Sequence, residues 1–166
     1  MATSLGDDKN IPLNFTSGTI LVLKSQGMVK PSGACGFALD LKLFNETDDI
    51  LLNISFLTSR IIFKDYACRS LGDGWGKEHT VDLKGKSMEG VKVSVHHYLT
   101  DSKFGRYQIL LDGITVYHFD KRLPGPARRI SYFRIGGYCG PSSWDVVVYQ
   151  IDDLLPEEQL ALVQEG

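Results

Sequence analysis

The sequence predicts an all-β fold, a sandwich of two antiparallel sheets, and three observations support this class. Short segments of alternating apolar and polar residues follow one another along the chain, and residues typical of turns separate them. The pair Asp112-Gly113 lies between two such segments and indicates a two-residue hairpin, because both residues tolerate a positive φ. Helical periodicity is almost absent, and no long βαβ crossover is present. We therefore expect about nine to eleven strands in two packed sheets.

Each alternating segment predicts a strand that turns one face to the core. Adjacent side chains of a strand point to opposite faces, so residues two apart share a face. Strands are expected over residues 19–23, 37–44, 50–56, 61–66, 78–83, 91–97, 107–111, 114–119, 129–135 and 144–151. The residues that this alternation places in the core are Phe37, Leu39, Leu41, Ile50, Leu52, Ile54, Phe56 and Ile109.

The last residues of the chain differ from the rest in pattern. Pro156 suits the first position of a helix, and Glu157 and Glu158 complement the helix dipole there. We expect a single domain over residues 1–152 and a tail, residues 153–166, that forms a short helix or a loose end.

Composition and charge exclude several classes of protein. The chain has 166 residues, and its 18 basic and 20 acidic residues give a net charge of −2, without the basic excess of a nucleic-acid binder. No apolar run approaches the roughly eighteen residues of a membrane span, so we expect no membrane insertion. The first ten residues lack the pattern of a secretory signal. We expect a cytoplasmic protein, or one exported without a signal peptide.

The cysteines and the common catalytic motifs predict neither a metal site nor an enzyme. Cys35, Cys68 and Cys139 are odd in number and lack the clustered spacing of a metal site, which predicts free thiols in a reducing compartment. The sequence contains no GxSxG, HExxH, Walker A or GxGxxG motif. We therefore expect no catalytic residue, no cofactor and no metal.

The segment of residues 50–83 contains the candidate binding site. Three consecutive predicted strands carry polar residues on a shared face, and Trp75 precedes the third strand, between Gly74 and Gly76. An exposed indole can cover the apolar face of a pyranose, while polar side chains on neighbouring strands reach its hydroxyl groups. The alternative is that Trp75 fills the core, but the glycines around it favour a partly exposed ring on a loop.

In these residues the segment resembles a galectin, and in detail a fungal galectin-like lectin. The family pattern is a His-x-Asn/Ser-x-Arg strand, a Val-x-Asn strand and then Trp-Gly-x-Glu-x-Arg. Here the matching stretches read LLNISFL (51–57), IIFK (61–64) and WGKEHT (75–80), and residues 106–123 resemble the later hairpin of the family. The resemblance spans residues 45–151. It implies a galectin-like jelly-roll sandwich and glycans or glycoconjugates as partners, and relatives often assemble into homo-oligomers.

The sequence departs from the family pattern at four contact positions. Asn53 stands at the position of the histidine and Leu57 at that of the first arginine, while Lys64 and Thr80 replace an asparagine and the last arginine. Asn53 and Leu57 cannot supply the lost donors to the axial 4-hydroxyl of galactose, so we expect weak or no lactose binding. The carbohydrate-binding residues that we expect are Asn53, Ser55, Arg60, Lys64, Trp75, Glu78 and Thr80.

Charged residues near this face could replace the lost contacts. Arg60 lies in the turn after the first strand, Arg69 and Asp73 lie in the loop before the tryptophan, and Lys64 shares the face. They could recognise a different sugar or a charged substituent, or they could be solvated surface charges.

Three functions are therefore compared. The first is a lectin of galectin type with altered glycan specificity. The second is a galectin-fold module that binds proteins instead of sugars. The third is a jelly-roll hydrolase, which the sequence disfavours because Glu78 and Asp82 lie about 13 Å apart on one strand, too far for a retaining glycosidase. The residues that support the second function are Leu154, Leu155, Leu160 and Trp144.

Overall fold

The computed structural model describes residues 2–29, 36, 38–68, 74–86, 88–135 and 139–164. Within these ranges the chain forms thirteen strands, then a 3₁₀ turn over Ile151–Asp153 and the helix α1 (Pro156–Leu160). The strands are β1 (Thr3–Gly6), β2 (Lys9–Phe15), β3 (Thr19–Val29), β4 (Ala38–Phe44), β5 (Ile50–Leu57), β6 (Arg60–Ala67), β7 (Gly74–Trp75), β8 (His79–Asp82), β9 (Lys92–Tyr98), β10 (Arg106–Leu111), β11 (Ile114–Asp120), β12 (Ala127–Arg134) and β13 (Gly140–Gln150).

The strands form two antiparallel sheets. One sheet has six strands in the order β1-β13-β3-β9-β10-β11, and the other has the order β2-β12-β4-β5-β6-β7, with β8 also paired to β6. Strands from the end of the chain, β12 and β13, insert between strands from its beginning. This arrangement confirms the predicted all-β sandwich.

The core lies between the facing sides of the two sheets. Leu52, Ile54 and Phe56 are at most 3% exposed, as their alternation predicted. Leu39, Leu41, Ile50 and Ile109 are also buried, whereas Phe37 lies outside the described residues.

Trp144 belongs to this core as well. Its ring is 1% exposed and meets Tyr132 edge to face, with 5.8 Å between the ring centroids. The interpretation of Trp144 as a support for protein binding is therefore wrong, because the ring has no surface to offer a partner.

Three strands were not predicted. β1 and β7 have four and two residues, too few to show an alternating pattern. β2 contains Pro12, which lacks an N–H and argues against a central strand. It fits here because β2 is the edge of its sheet and pairs only with β12.

The hairpin between β10 and β11 has the predicted two-residue turn. Asp112 and Gly113 have φ angles of 49° and 82°, as a type I′ turn requires. The carboxylate of Asp112 also accepts a hydrogen bond from the Lys92 backbone N–H at 2.9 Å, which ties the turn to β9.

The C-terminal tail packs on the outer face of the six-stranded sheet. Gln108 of β10 is 2% exposed, and both the nitrogen and the oxygen of its side-chain amide bind the tail. Its Nε2 donates to the carbonyl oxygen of Ala161 at 2.9 Å, and its Oε1 accepts from the backbone N–H of Val163 at 2.9 Å. No helix among the described residues combines the length and apolar character needed to cross a membrane.

The cysteines differ from the prediction of three free thiols. Cys68 is free and exposed, but Cys139 is disulfide-bonded. Spacing along the sequence could not show this, because folding brings distant segments together: the N–H of Cys139 donates to the carbonyl of Gly36 at 2.8 Å. Cys35 lies outside the described residues.

Candidate functional site

The predicted site residues lie on the outer face of the seven-stranded sheet. Lys64 of β6 pairs in register with Asn53 of β5, so their side chains share a face. Ser55 of β5 and Thr80 of β8 both pair with Ile62 of β6, in the next row of the same face. The register therefore brings together residues that lie up to 27 positions apart in the chain.

Trp75 projects from β7 at the edge of this outer face, which we call the Trp75 face. Its side chain is 48% exposed, so the alternative that it fills the core is wrong. The ring contacts Tyr66 edge to face, with 4.9 Å between centroids, and the Nζ atom of Lys64 lies 4.4 Å from the indole centroid. The ammonium is within the range of a cation–π interaction, and about half of the surface of Trp75 stays exposed to solvent.

The Trp75 segment is held by an ion pair between the buried Asp65 and the half-buried Arg122. Asp65 is 4% exposed and accepts hydrogen bonds from Nε and Nη2 of Arg122 at 3.1 and 2.8 Å. Nη2 of Arg122 also donates to the carbonyl of Gly74 at 3.2 Å, and the N–H of Gly76 donates to the carbonyl of Asp65 at 2.8 Å. A Cβ atom on Gly76 would lie 2.1 Å from the Asp65 carboxylate, so this position requires glycine.

Sequence reasoning missed Asp65 and Arg122. A signal for Asp65 was present, because it alternates with Ile61 and Phe63 and so occupies a core-facing position. A carboxylate at such a position needs a partner, since an unpaired buried charge is costly. The sequence did not show that the partner lies 57 residues further along the chain.

Glu78 and Lys64 form an ion pair beside the indole. The Nζ of Lys64 lies 3.5 Å from Oε1 of Glu78. The Glu78 side chain is 57% exposed and that of Lys64 is 24% exposed, so the pair itself adds little stability. It places a charged donor over the Trp75 ring and a charged acceptor next to that donor.

Asn53 and Ser55 form a second polar group on the face. Nδ2 of Asn53 donates to Oγ of Ser55 at 2.8 Å, and the Ser55 hydroxyl donates to Oδ1 of Asp40 on β4. Asn53 lies on the predicted face but is only 1% exposed, and its Oδ1 has no hydrogen-bond partner. Asp40 is a residue that sequence reasoning missed, although it occupies an outward position in the alternation of β4.

The remaining predicted residues lie further from Trp75. Thr80 is exposed on β8. Arg60 is exposed at the start of β6, four residues and about 13 Å from Lys64 along the strand, and pairs in register with Asp82. Arg69 and Asp73 lie outside the described residues.

A buried group of titratable side chains lies in the core instead of on this face. Lys121 is 6% exposed and donates to the carbonyl of Gly125 at 2.9 Å; burial lowers its pKa to about 8. Burial, together with the charge of Lys121, lowers the pKa of His97 to about 4. Burial raises the pKa of Tyr107, whose ring lies 5.4 Å from the Lys121 ammonium. Because these groups are buried in the core, their protonation affects the stability of the fold. The described residues contain no cluster of three or more His, Cys, Asp or Glu that could hold a metal ion.

Comparison with solved structures shows that this chain has the galectin fold. It is similar to sheep galectin-11 solved with glycerol, at a TM-score of 0.66 and 14% identity, over 87% of this chain and 99% of that one. A double variant of human galectin-16 gives a TM-score of 0.66 at 16% identity, over 89% and 99%. A tetrameric galectin from a Cinachyrella ball sponge gives 0.54 at 16% identity, over 90% and 99%. No protein-family model and no curated protein matches the chain.

Proposed function

We propose that this protein is a galectin-type lectin with altered glycan specificity, which binds its ligand on the Trp75 face and catalyses no reaction. The observation that carries the proposal is the half-exposed indole, fixed in place beside an ammonium and a carboxylate. A sugar ring presents an apolar face and a rim of hydroxyl groups, and this arrangement complements both.

Each polar group of the site has a role in the proposal. Glu78 accepts a hydrogen bond from a sugar hydroxyl, and Lys64 donates one to the sugar, so a single ligand contacts both charged side chains. Ser55 and Thr80 lie in the adjoining row and extend the contact surface. Asn53 does not contact the ligand, because its side chain is buried. It donates a hydrogen bond to the Ser55 hydroxyl and so orients that group.

The altered specificity follows from two apolar side chains on the same face. Leu57 and Ile62 are partly buried and provide no hydrogen-bond donor. A hydroxyl group placed against them loses its bonds to water without replacement, which costs about 1–3 kcal/mol. Lactose binding is therefore weak or lost in this proposal. Arg60, at the far end of β6, can reach only a ligand longer than a single sugar.

Two of the similar structures are consistent with this function. Sheep galectin-11 was solved with glycerol, a small polyol, and the sponge galectin is a tetramer. Assembly of this chain into a homo-oligomer would present several copies of the Trp75 face to one glycan-bearing surface and so raise avidity.

A second function is favoured by the exposure of two leucines in the tail. Leu155 and Leu160 are 59% and 83% exposed, and such side chains suit a protein partner. In that case the chain would be a galectin-fold interaction module and would bind no sugar.

A glycan array distinguishes the two functions. The parent is compared with Trp75→Ala and with the control Ile114→Ala, since Ile114 is 68% exposed on β11 of the other sheet. We expect glycans that bind the parent and the control but not Trp75→Ala. Binding to no glycan, or equal binding by all three proteins, would overturn the proposed lectin site.

A further inference from the structure

The C-terminal tail and the outer face of the six-stranded sheet line a half-open cavity of about 140 Å³. It lies on the opposite side of the sandwich from the Trp75 face. Gly113 of the β10–β11 turn and Glu157 of α1 are at its edge. The cavity is therefore separate from the proposed glycan site.

The walls of the cavity are mainly aliphatic. On the sheet side, outward-facing residues of β3 and β10 form the wall, and on the tail side residues at both ends of α1 close it. An engineered cavity of similar size, about 150 Å³ in another protein, binds a benzene ring. The aliphatic and small residues that line it are Ile20, Val22, Leu110, Leu154, Ala161 and Leu162.

One polar side chain opens into this apolar space. Ser94 of β9 lies between the core residues Val93 and Val95 and is 5% exposed on the opposite face. Its hydroxyl forms no hydrogen bond with the described residues. The hydroxyl is therefore accessible from the cavity and can bond a ligand there, and an apolar pocket with one such group is typical of a small-molecule site.

Charged groups stand at the mouth of the cavity. The Nζ of Lys92 lies 3.6 Å from Oε2 of Glu158, and Glu157 is next to this pair. The two glutamates repel an anionic ligand, and the aliphatic walls would strip a cationic group of its water. The site therefore favours an uncharged ligand.

We propose that this cavity is a second ligand site, which takes one small uncharged ring bearing a single hydroxyl group. The ring fills the aliphatic space between sheet and tail, and its hydroxyl exchanges a hydrogen bond with Oγ of Ser94. Because the ring contacts both walls, it also strengthens the attachment of the tail to the sheet.

Titration with phenol, and with benzene as the partner that lacks the hydroxyl, tests this site. Amide chemical shifts in a ¹⁵N-labelled protein report where each compound binds and how tightly. We expect saturable shifts around Val22, Ser94 and Leu162, with phenol bound about threefold to tenfold more tightly than benzene, the worth of one hydrogen bond.

Three variants test whether phenol and benzene bind in this cavity. In Ser94→Ala the preference for phenol disappears while benzene still binds, and in Ala161→Leu the added methylenes fill the cavity and abolish binding of both. Ser25→Ala is the control, since Ser25 lies on the same sheet and its Oγ also lacks a partner, but it does not line the cavity. It should behave as the parent.

Two outcomes would overturn the proposal: shifts that are scattered or do not saturate, and equal affinities for phenol and benzene in the parent. Neither outcome bears on the lectin proposal, because the glycan array reads out the other sheet.

Discussion

The guanidinium of Arg122 donates both Nε–H and Nη2–H to one carboxylate oxygen of Asp65, and the same Nη2 reaches the carbonyl of Gly74. This geometry couples β6 to the segment that presents Trp75. Because Asp65 is 4% exposed, the pair lies in a poorly solvated place where loss of one partner is felt strongly.

We expect Arg122→Met to lower the free energy of unfolding by about 3 kcal/mol, because it leaves the Asp65 carboxylate buried without its partner. Urea denaturation measures this loss. Asp65→Asn should cost less, since the amide oxygen still accepts from Arg122. A loss below about 0.5 kcal/mol in Arg122→Met would show that the pair does not hold the segment.

The same variant should change the environment of the indole. The chain has only two tryptophans, and Trp144 is buried. In a Trp144→Phe background the fluorescence therefore reports on Trp75 alone, and we expect Arg122→Met to shift its emission maximum to longer wavelength. An unchanged emission spectrum would mean that Trp75 keeps its position without the ion pair.

Glu78→Gln should weaken binding of the glycan identified by the array about tenfold, because a charged acceptor is replaced by a neutral one. Isothermal titration measures the affinity. Asp82→Asn is the matched control, since Asp82 is an exposed carboxylate at the end of β8. Equal losses in the two variants would indicate a general effect of charge rather than a contact at Glu78.

Lactose should bind with a dissociation constant above about 1 mM, which corresponds to about 4 kcal/mol of binding free energy. The reason is that Leu57 offers no donor to the galactose 4-hydroxyl. Titration calorimetry with lactose checks this value, and a tighter constant would show that other residues of the face replace the missing donors.

Gly113→Val should destabilise the protein by about 1–2 kcal/mol, because φ at this position is 82° and a β-branched residue is strained there. No atom lies within 4 Å of an added Cβ, so the loss would come from the backbone alone. Gly113→Asn is the control, since asparagine tolerates a positive φ. Thermal melts that coincide for parent and Gly113→Val would contradict the type I′ turn.

Stability should fall as the pH is lowered from about 6.5 towards 4. The pKa of His97 is about 4 in the folded protein and about 6.5 when unfolded, so between these values the unfolded state binds the proton first. The contribution is present above pH 6.5 and is lost as the pH falls through 4, a total of about 3 kcal/mol.

The histidine contribution is separated from that of the carboxylates by two variants. His97→Gln and His97→Asn should both flatten the dependence of the urea midpoint on pH over this interval, because each removes the imidazole and keeps every carboxylate. Parallel profiles for the parent and His97→Gln would show that His97 does not titrate differently on unfolding.

Local pattern was sufficient to predict most of the fold. Leu52, Ile54 and Phe56 are buried because a strand alternates its faces, and this period is visible in eight residues. The turn at Gly113 was equally local, since its two residues alone allow the required φ angles.

The candidate site could be predicted only in part, because its support comes from distant residues. Trp75 was expected on a loop from its flanking glycines, and it is half exposed. Asp65 and Arg122 have no common pattern in the sequence, and the covering of Asn53 depends on how neighbouring strands pack. Register and packing are long-range properties, and alternation within one strand does not report them.

The two hydrogen bonds by which Gln108 holds the C-terminal tail have a practical consequence for the preparation of this protein. A fragment trimmed at the end of β13 would lose Ala161 and Val163, the partners of both ends of that amide. Ile20, Val22 and Leu110 would then face water as a contiguous apolar surface, and such surfaces drive self-association. The shortened sandwich should precipitate or elute as aggregates where the full chain remains dispersed, so affinity tags belong at the other end.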